Sequence, residues 1–141
     1  MAKTDELFDW TDKSVLVTGG AGFIGSNLVE LLVDDGAKVT VLDNLKSGRR
    51  ENLAKVADKI ELVEGDVCNV EWEPYLSDDT TDAIFHFAAN AYVPPSVECP
   101  SFDYETNFAA TFRLLDALRR TQWHGRMVFA SSAAVYENAV S

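Results

Sequence analysis

Gly19, Gly22 and Gly25 stand at a strict three-residue spacing in "VTGGAGFIGSN", residues 17–27, directly behind an apolar run. A backbone stripped of side chains at those places suits the approach of a diphosphate. Gly19 permits a tight turn, Gly22 lets the backbone close on the ligand, and Gly25 lets the following helix pack against the strand. The helix N-terminus then supplies unpaired N–H groups and a partial positive charge. Asp43 trails the glycines at the distance expected of an acid that accepts both adenosine ribose hydroxyls. A carboxylate there repels a 2′-phosphate, so NAD(H) is expected over NADP(H). Arg49 and Arg50 follow closely and keep the phosphorylated cofactor open as an alternative; their other reading is a solvated loop or a helix start.

Other polar or small residues fall where strands should end. Asp66 in "EGDV" suits either an acceptor for the adenine amino group or a plain turn aspartate. "FAAN", residues 87–90, replaces bulk with small residues where a dinucleotide must pass. His86 reads as a core histidine with satisfied partners rather than a catalyst. Asn107 reads either as a buried structural amide or as support for a neighbouring loop.

These residues need elements that bring them together. "KSVLVTG" (13–19), "AKVTVLD" (37–43), "KIELVEGD" (59–66), "DAIFHFAA" (82–89) and "GRMVFASS" (125–132) are short apolar runs, expected as strands buried on both faces. "SNLVELLVDDG" predicts a helix with Leu28, Leu31 and Leu32 on one face and Gly36 as its stop. "ETNFAATFRLLDALRRT" predicts a long amphipathic helix with Phe108, Phe112, Leu115 and Leu118 as its apolar stripe. "VCNVEWEPYLSDDTT" has room for one short helix, and "YVPPSVECP", with three prolines, is expected as a loop. Alternating strands and helices give a parallel sheet with right-handed crossovers. Ligands of such sheets bind beyond the carboxyl ends of the strands, where the candidate residues collect.

Composition bounds the reading. The chain of 141 residues suits one domain, and 47% hydrophobic content argues against disorder. A net charge of -11, from 23 acidic against 12 basic residues, argues against a nucleic-acid or anionic-membrane surface. Acidic runs such as "SDDTTD" are expected as solvated loops. No stretch approaches the roughly 20 apolar residues of a membrane span, and "MAKTDELFDW" lacks the core of a signal peptide. Cys68 and Cys99 make no metal spacing and no disulfide framework, which suits free thiols in a reducing cytoplasm.

Taken together, "TGGAGFIG", "LDNLKSG", "EGDV", "HFAAN", "YETNFAAT" and "SSAAVY" resemble the extended short-chain dehydrogenase/reductase family, within it the nucleotide-sugar epimerase and dehydratase branch. The resemblance spans residues 13 to 138. It implies one α/β domain over residues 1–141, a Rossmann-type doubly wound parallel sheet comprising the first five strands of the family fold, with the C-terminal part absent. It implies NAD as cofactor, a nucleotide-diphosphate sugar such as a UDP-sugar as substrate, and a homodimer in the intact protein. By residue, it gives Gly19, Gly22, Phe23, Ile24 and Gly25 the cofactor diphosphate. Asp43, Asn44, Leu45, Ser47 and Gly48 would surround the adenosine ribose, and Asp66 with Val67 the adenine. Phe87, Ala88 and Ala89 would line the nicotinamide side, and Asn107 matches the family's helix asparagine. Ser132 matches the catalytic hydroxyl that hydrogen-bonds the sugar, with Ser131 its neighbour.

Two departures stand out. Glu137 occupies the place of a glycine usual after the tyrosine, here Tyr136. The family's Tyr-x-x-x-Lys dyad is missing: Tyr75, Tyr92, Tyr104 and Tyr136 are followed four places on by Asp79, Ser96, Phe108 and Val140. In the family that tyrosine takes the hydroxyl proton while NAD takes the hydride, and the keto sugar turns and is reduced on its other face. The chain is therefore expected to be the cofactor-binding portion of a longer UDP-glucose 4-epimerase-like enzyme, inactive alone. Ala133 and Ala134 replace the acidic pair typical of a dehydratase, which favours epimerisation over 4,6-dehydration. A non-catalytic NAD-binding module is the remaining alternative.

Overall fold

A computed structural model describes residues 9–76, 80–91 and 97–132. Five parallel strands, β1 (Ser14–Thr18), β2 (Lys38–Asp43), β3 (Ile60–Glu64), β4 (Ala83–His86) and β5 (Arg126–Phe129), lie in the order β3-β2-β1-β4-β5. Helix α1 (Phe23–Asp34) joins the first two strands. A second helical stretch precedes β5 and comprises α2 (Pro100–Asp103), a π-helical turn (Tyr104–Ala109) and α3 (Ala110–Arg120). Backbone angles stay right-handed helical at both junctions, so the three pieces run on as one rod. Short 3₁₀ turns occupy Arg50–Leu53 and Glu73–Tyr75.

Alternation along β1 builds two cores. Val15 and Val17 face Val29 and Leu32 of α1, with Val39, Val41 and Leu53. Leu16 faces the other way, packing with Leu42, Ile84, Trp72, Ala110 and Leu114. The sheet is thus covered on both faces and doubly wound, the Rossmann-type arrangement expected of such apolar strands. Strand order reverses between β1 and β4. Register sets Thr18 level with Leu42 on one side and His86 on the other, so the three strands end together at that crevice.

Several expectations need correction. The edge strands are not buried on both faces: Val128 and Phe129 of β5 are about half exposed, at 46% and 52%. On α1, Leu31 faces outward, and Gly25, Ser26, Val29 and Leu32 are the buried positions. On α3 the buried face is Ala110, Leu114 and Ala117. Phe108, Phe112 and Leu115 project away from it, and only Leu118 of the expected stripe packs on the core. The two apolar stripes lie two residues apart, on opposite sides of a helix, and the alanines let the backbone seat closely on Leu16 and Ile84.

Nor is all of "SDDTTD" solvated. Thr81 is buried and donates to Tyr75 O at 2.6 Å. Asp82 accepts the Ser14 N–H at 2.8 Å and Lys13 Nζ at 3.1 Å, contacts that hold its carboxyl below the usual range. Residues 77–79 lie outside the described residues, as do 92–96 of the proline-rich segment. Its last proline, Pro100, opens α2, where a missing N–H costs nothing. Cys68 and Cys99 are free. No helix among the described residues is long and apolar enough to cross a membrane.

Candidate functional site

The turn after β1 depends on its glycines for different reasons. Gly19 has φ +69°, and a Cβ there would stand 2.7 Å from Ala88 N, against the backbone leaving β4. A Cβ on Gly25 would press into Gly19 O, well inside contact distance, and stand 2.7 Å from Gly20 Cα. Gly22 differs: its backbone is extended (φ -75°, ψ 175°), and a Cβ would meet only Gly19 O, at 3.2 Å. Gly22 is the N-cap of α1, with no side-chain cap and no acidic residue in the first turn. The first-turn N–H groups therefore face the space beyond Gly22 without a competing carboxylate.

Asp43 is only 7% exposed, and both its oxygens have partners. Oδ2 accepts the Ala21 N–H at 2.9 Å and Oδ1 the Leu45 N–H at 2.8 Å. It thus ties the glycine turn to the loop after β2. A carboxylate has about four acceptor positions, so lone pairs remain for a ligand. Asp66 organises the neighbouring wall. Its Oδ2 accepts Asn44 Nδ2 and Lys46 Nζ, each at 3.0 Å, and Oδ1 accepts the Cys68 N–H at 3.0 Å. Burial opposes charge on Asp66, but these donors outweigh it and hold the carboxyl well below the usual range. Lys46 Nζ also sits 5.9 Å from the Phe102 ring centroid. Of the two arginines, Arg50 pairs with Glu64, and the Arg49 N–H donates to Ala21 O.

These walls enclose an open cleft with about 800 Å³ of empty space, mouth included. Among the expected residues it is lined by Gly19, Gly22, Asp43, Asn44, Ser47, Gly48, Val67, Phe87, Ala88 and Ala89. Others stand apart from the lining. Gly25 lies buried beneath the turn, and Phe23 and Ile24 are exposed on the first turn of α1. Leu45 packs on the first core, and Asp66 stands behind Asn44 and Lys46. Asn107 grips the Asn90 backbone, accepting its N–H at 2.7 Å and donating to its O at 3.0 Å. Ser132 is exposed just past β5. Ala133, Ala134, Tyr136 and Glu137 lie outside the described residues.

Leu42, Lys46, Gly65, Asn90, Phe102 and Thr106 also line the cleft. Lys46 and Asn90 stood inside loops the sequence had flagged. Phe102 carries no local signal, and Thr106 lay within the quoted "YETNFAAT" without being singled out; the helical stretch brings both to the cleft. His86 is 1% exposed and both ring nitrogens have hydroxyl partners; burial pushes the imidazole down to about 4. It is neutral at physiological pH.

The chain and its fold have known counterparts. The profile of the NAD dependent epimerase/dehydratase family matches residues 15–141. A UDP-glucose 4-epimerase of Mycolicibacterium smegmatis is 42% identical over 123 residues, covering 86% of this chain and 39% of the relative. A dTDP-glucose 4,6-dehydratase of Mycobacterium tuberculosis is 45% identical over 128 residues, covering 86% and 37%. The solved UDP-N-acetylglucosamine 4-epimerase of Methanobrevibacter ruminantium, in complex with UDP-N-acetylmuramic acid, superposes with a TM-score of 0.82 at 40% identity, over 92% of this chain and 41% of that one. The chain thus spans about two fifths of the length of these relatives. A family match over nearly all the described strands, with a glycine turn, an acid at the end of β2 and a cleft at the strand-order reversal, means that the chain belongs to the NAD-dependent epimerase/dehydratase family.

Proposed function

We propose that residues 1–141 form an NAD-binding domain that serves a nucleotide-sugar epimerase acting on UDP-sugars, in the manner of UDP-glucose 4-epimerase. The observation that carries the reading is the convergence of Asp43, the Gly22 cradle and the uncapped N-terminus of α1 on one cleft. The dinucleotide fits there on chemical grounds: N–H donors for its diphosphate, lone pairs of Asp43 for its ribose, and alanines 88 and 89 where a flat ring must pass. When bound, NAD supplies transient oxidation of the sugar by taking and returning a hydride. The chain's own part is to hold that group. Asp43 orients the ribose and excludes a 2′-phosphate, the α1 N-terminus neutralises the diphosphate, and Phe87, Ala88 and Ala89 shape the wall beside the nicotinamide. Ser132 is the hydroxyl for the sugar.

The 45% identity to a dTDP-glucose 4,6-dehydratase favours a second reading, in which the same oxidation leads to loss of water. Ala133 and Ala134, in place of an acidic pair, support epimerisation. The apolar face of Phe108, Phe112 and Leu115 supports a homodimer, with a second copy covering it. In the intact protein, Phe112→Glu should then move the sedimentation coefficient to that of a monomer, and an intact wild-type protein that sediments as a monomer at high micromolar concentration would contradict the dimer. The free thiols suit a reducing cytoplasm.

Titration with NADH, read by fluorescence, tests the reading directly; no binding at millimolar cofactor would sink it. Asp43→Asn tests the ribose contact. It keeps the volume of a side chain that also holds the glycine turn, while removing the charge. NADH affinity should fall on the order of tenfold, and the preference for NADH over NADPH should shrink. An unchanged preference ratio would leave Asp43 as an anchor of the turn alone.

A further inference from the structure

Four buried or half-buried hydrogen bonds between β1, β4 and the helical rod have only one consistent direction. Thr111 Oγ1 stands 2.8 Å from Asn107 O, and a carbonyl only accepts, so the hydroxyl's single proton is committed there. Thr111 Oγ1 must then accept at its other contact, 3.2 Å from His86 Nε2, which places the hydrogen on Nε2. A neutral ring protonated at Nε2 has a bare Nδ1, and Thr18 Oγ1 lies 2.8 Å from it as donor. Thr18 Oγ1 in turn accepts the Ala88 N–H at 3.2 Å. The opposite tautomer would turn the Thr111 proton from Asn107 O to Nε2 and leave the hydroxyl proton of Thr18, which is 0% exposed, with no acceptor among the described residues.

Both ends of this chain reach the cleft wall. Ala88 lines the cleft, and its N–H is the first donor. Asn107, whose carbonyl is the last acceptor, holds the Asn90 N–H and C=O with its side-chain amide. It sits in the π-helical turn, four residues before Thr111, whose hydroxyl its carbonyl accepts. The segment 88–90 is thus fastened at Ala88 through Thr18 and at Asn90 through Asn107.

We infer that His86 is a positioning residue for the cofactor site: fixed as the Nε2–H tautomer, it joins those two fastenings and keeps the 88–90 wall in register with the glycine turn. This rests on the NAD reading only for its consequence on binding; the tautomer stands apart from it.

Long-range ¹⁵N–¹H NMR correlations of the imidazole at neutral pH should show a protonated Nε2 and a bare Nδ1. Thr111→Val removes the receiving oxygen while keeping the shape, and should release the ring from that single tautomer. The same variant should weaken NADH by about tenfold, the scale of one lost buried hydrogen bond to a positioned group. His86→Asn keeps an acceptor for Thr18 but is too short to reach Thr111. Because both changes cut one link, the double variant should bind NADH no worse than either single one. If His86→Asn does not fold, Thr111→Val carries both readouts. A wild-type ring protonated at Nδ1, an unaltered ring in Thr111→Val, or losses that multiply in the double variant would overturn the inference. If the wild-type chain binds no NADH, the cofactor reading fails while the NMR result still decides the tautomer.

Discussion

Gly22→Val should leave the chain folded and abolish NADH binding, whereas Gly25→Val should undo the fold around the turn. The backbone at Gly22 is extended and open to any residue, and its nearest obstacle is Gly19 O, 3.2 Å from an added Cβ. A shift of a few tenths of an ångström relieves that contact. The rest of the valine side chain then projects over the N-terminus of α1, into the space a diphosphate must occupy to reach the N–H groups. At Gly25 the added carbon would press into Gly19 O, well inside contact distance, and lie 2.7 Å from Gly20 Cα. Both are backbone atoms of a turn already pinned by Asp43 through Ala21, so neither can yield without unseating α1 from the sheet. The cost should reach about 3 kcal/mol or more, the range of overpacked core sites. Thermal unfolding by circular dichroism beside NADH titration separates the two. A Gly22→Val chain that binds NADH like the wild type would remove the diphosphate from this turn. A Gly25→Val chain with unaltered Tm would mean that α1 is not seated as described.

That pair of outcomes also marks what a sequence can carry. The three-residue spacing marks a turn packed too closely for side chains at Gly19 and Gly25, and the run of apolar β-branched residues announces the strand before it. Asp43 stood out in the sequence as a candidate ribose acid but not as the residue that ties Ala21 to Leu45, since its partners are backbone groups that carry no sequence mark. The faces of α3 were misread for a related reason. Phe108, Phe112 and Leu115 repeat with helical period, but so do Ala110, Leu114 and Ala117, and periodicity does not say which stripe meets the sheet. Close approach to Leu16 and Ile84 selects the smaller side chains. Likewise Phe102 and Thr106 enter the cleft wall only because the rod crosses the sheet beyond β4, and Lys46 because Asp66 draws it there. Local pattern specifies elements and turns, while the faces they present to one another are settled by packing.

The 141-residue chain should turn over no UDP-galactose, whatever NAD is supplied. Oxidising a sugar hydroxyl needs a base to take its proton as the hydride leaves, and among the described residues no histidine or tyrosine lines the cleft, where the carboxylate of Asp43 is tied to the Ala21 and Leu45 N–H groups and Lys46 is paired with Asp66. His86 is buried and neutral, with Nε2 donating to Thr111 and Nδ1 held by Thr18. His124 precedes β5, at the opposite end of the sheet from the strand termini that form the cleft. Tyr75 belongs to the 3₁₀ turn ahead of β4, also on the far side, and Tyr104 stacks on Phe108 at 5.3 Å rather than lining the cleft. No tyrosine of the chain has a lysine four places on, the neighbour whose charge draws a phenol towards neutrality. Ser132 has the right chemistry to donate or accept a hydrogen bond, but a serine hydroxyl titrates far above neutral pH and does not act as base unaided. A longer protein that continues through a Tyr-x-x-x-Lys dyad and a substrate lobe should turn over, and Ser132→Ala in it should cost about 10²-fold in kcat or more, the usual scale for a positioned proton-transfer partner. Turnover by residues 1–141 alone, above that of a Gly22→Val control, would overturn the assignment, because it would require a base that none of these side chains supplies.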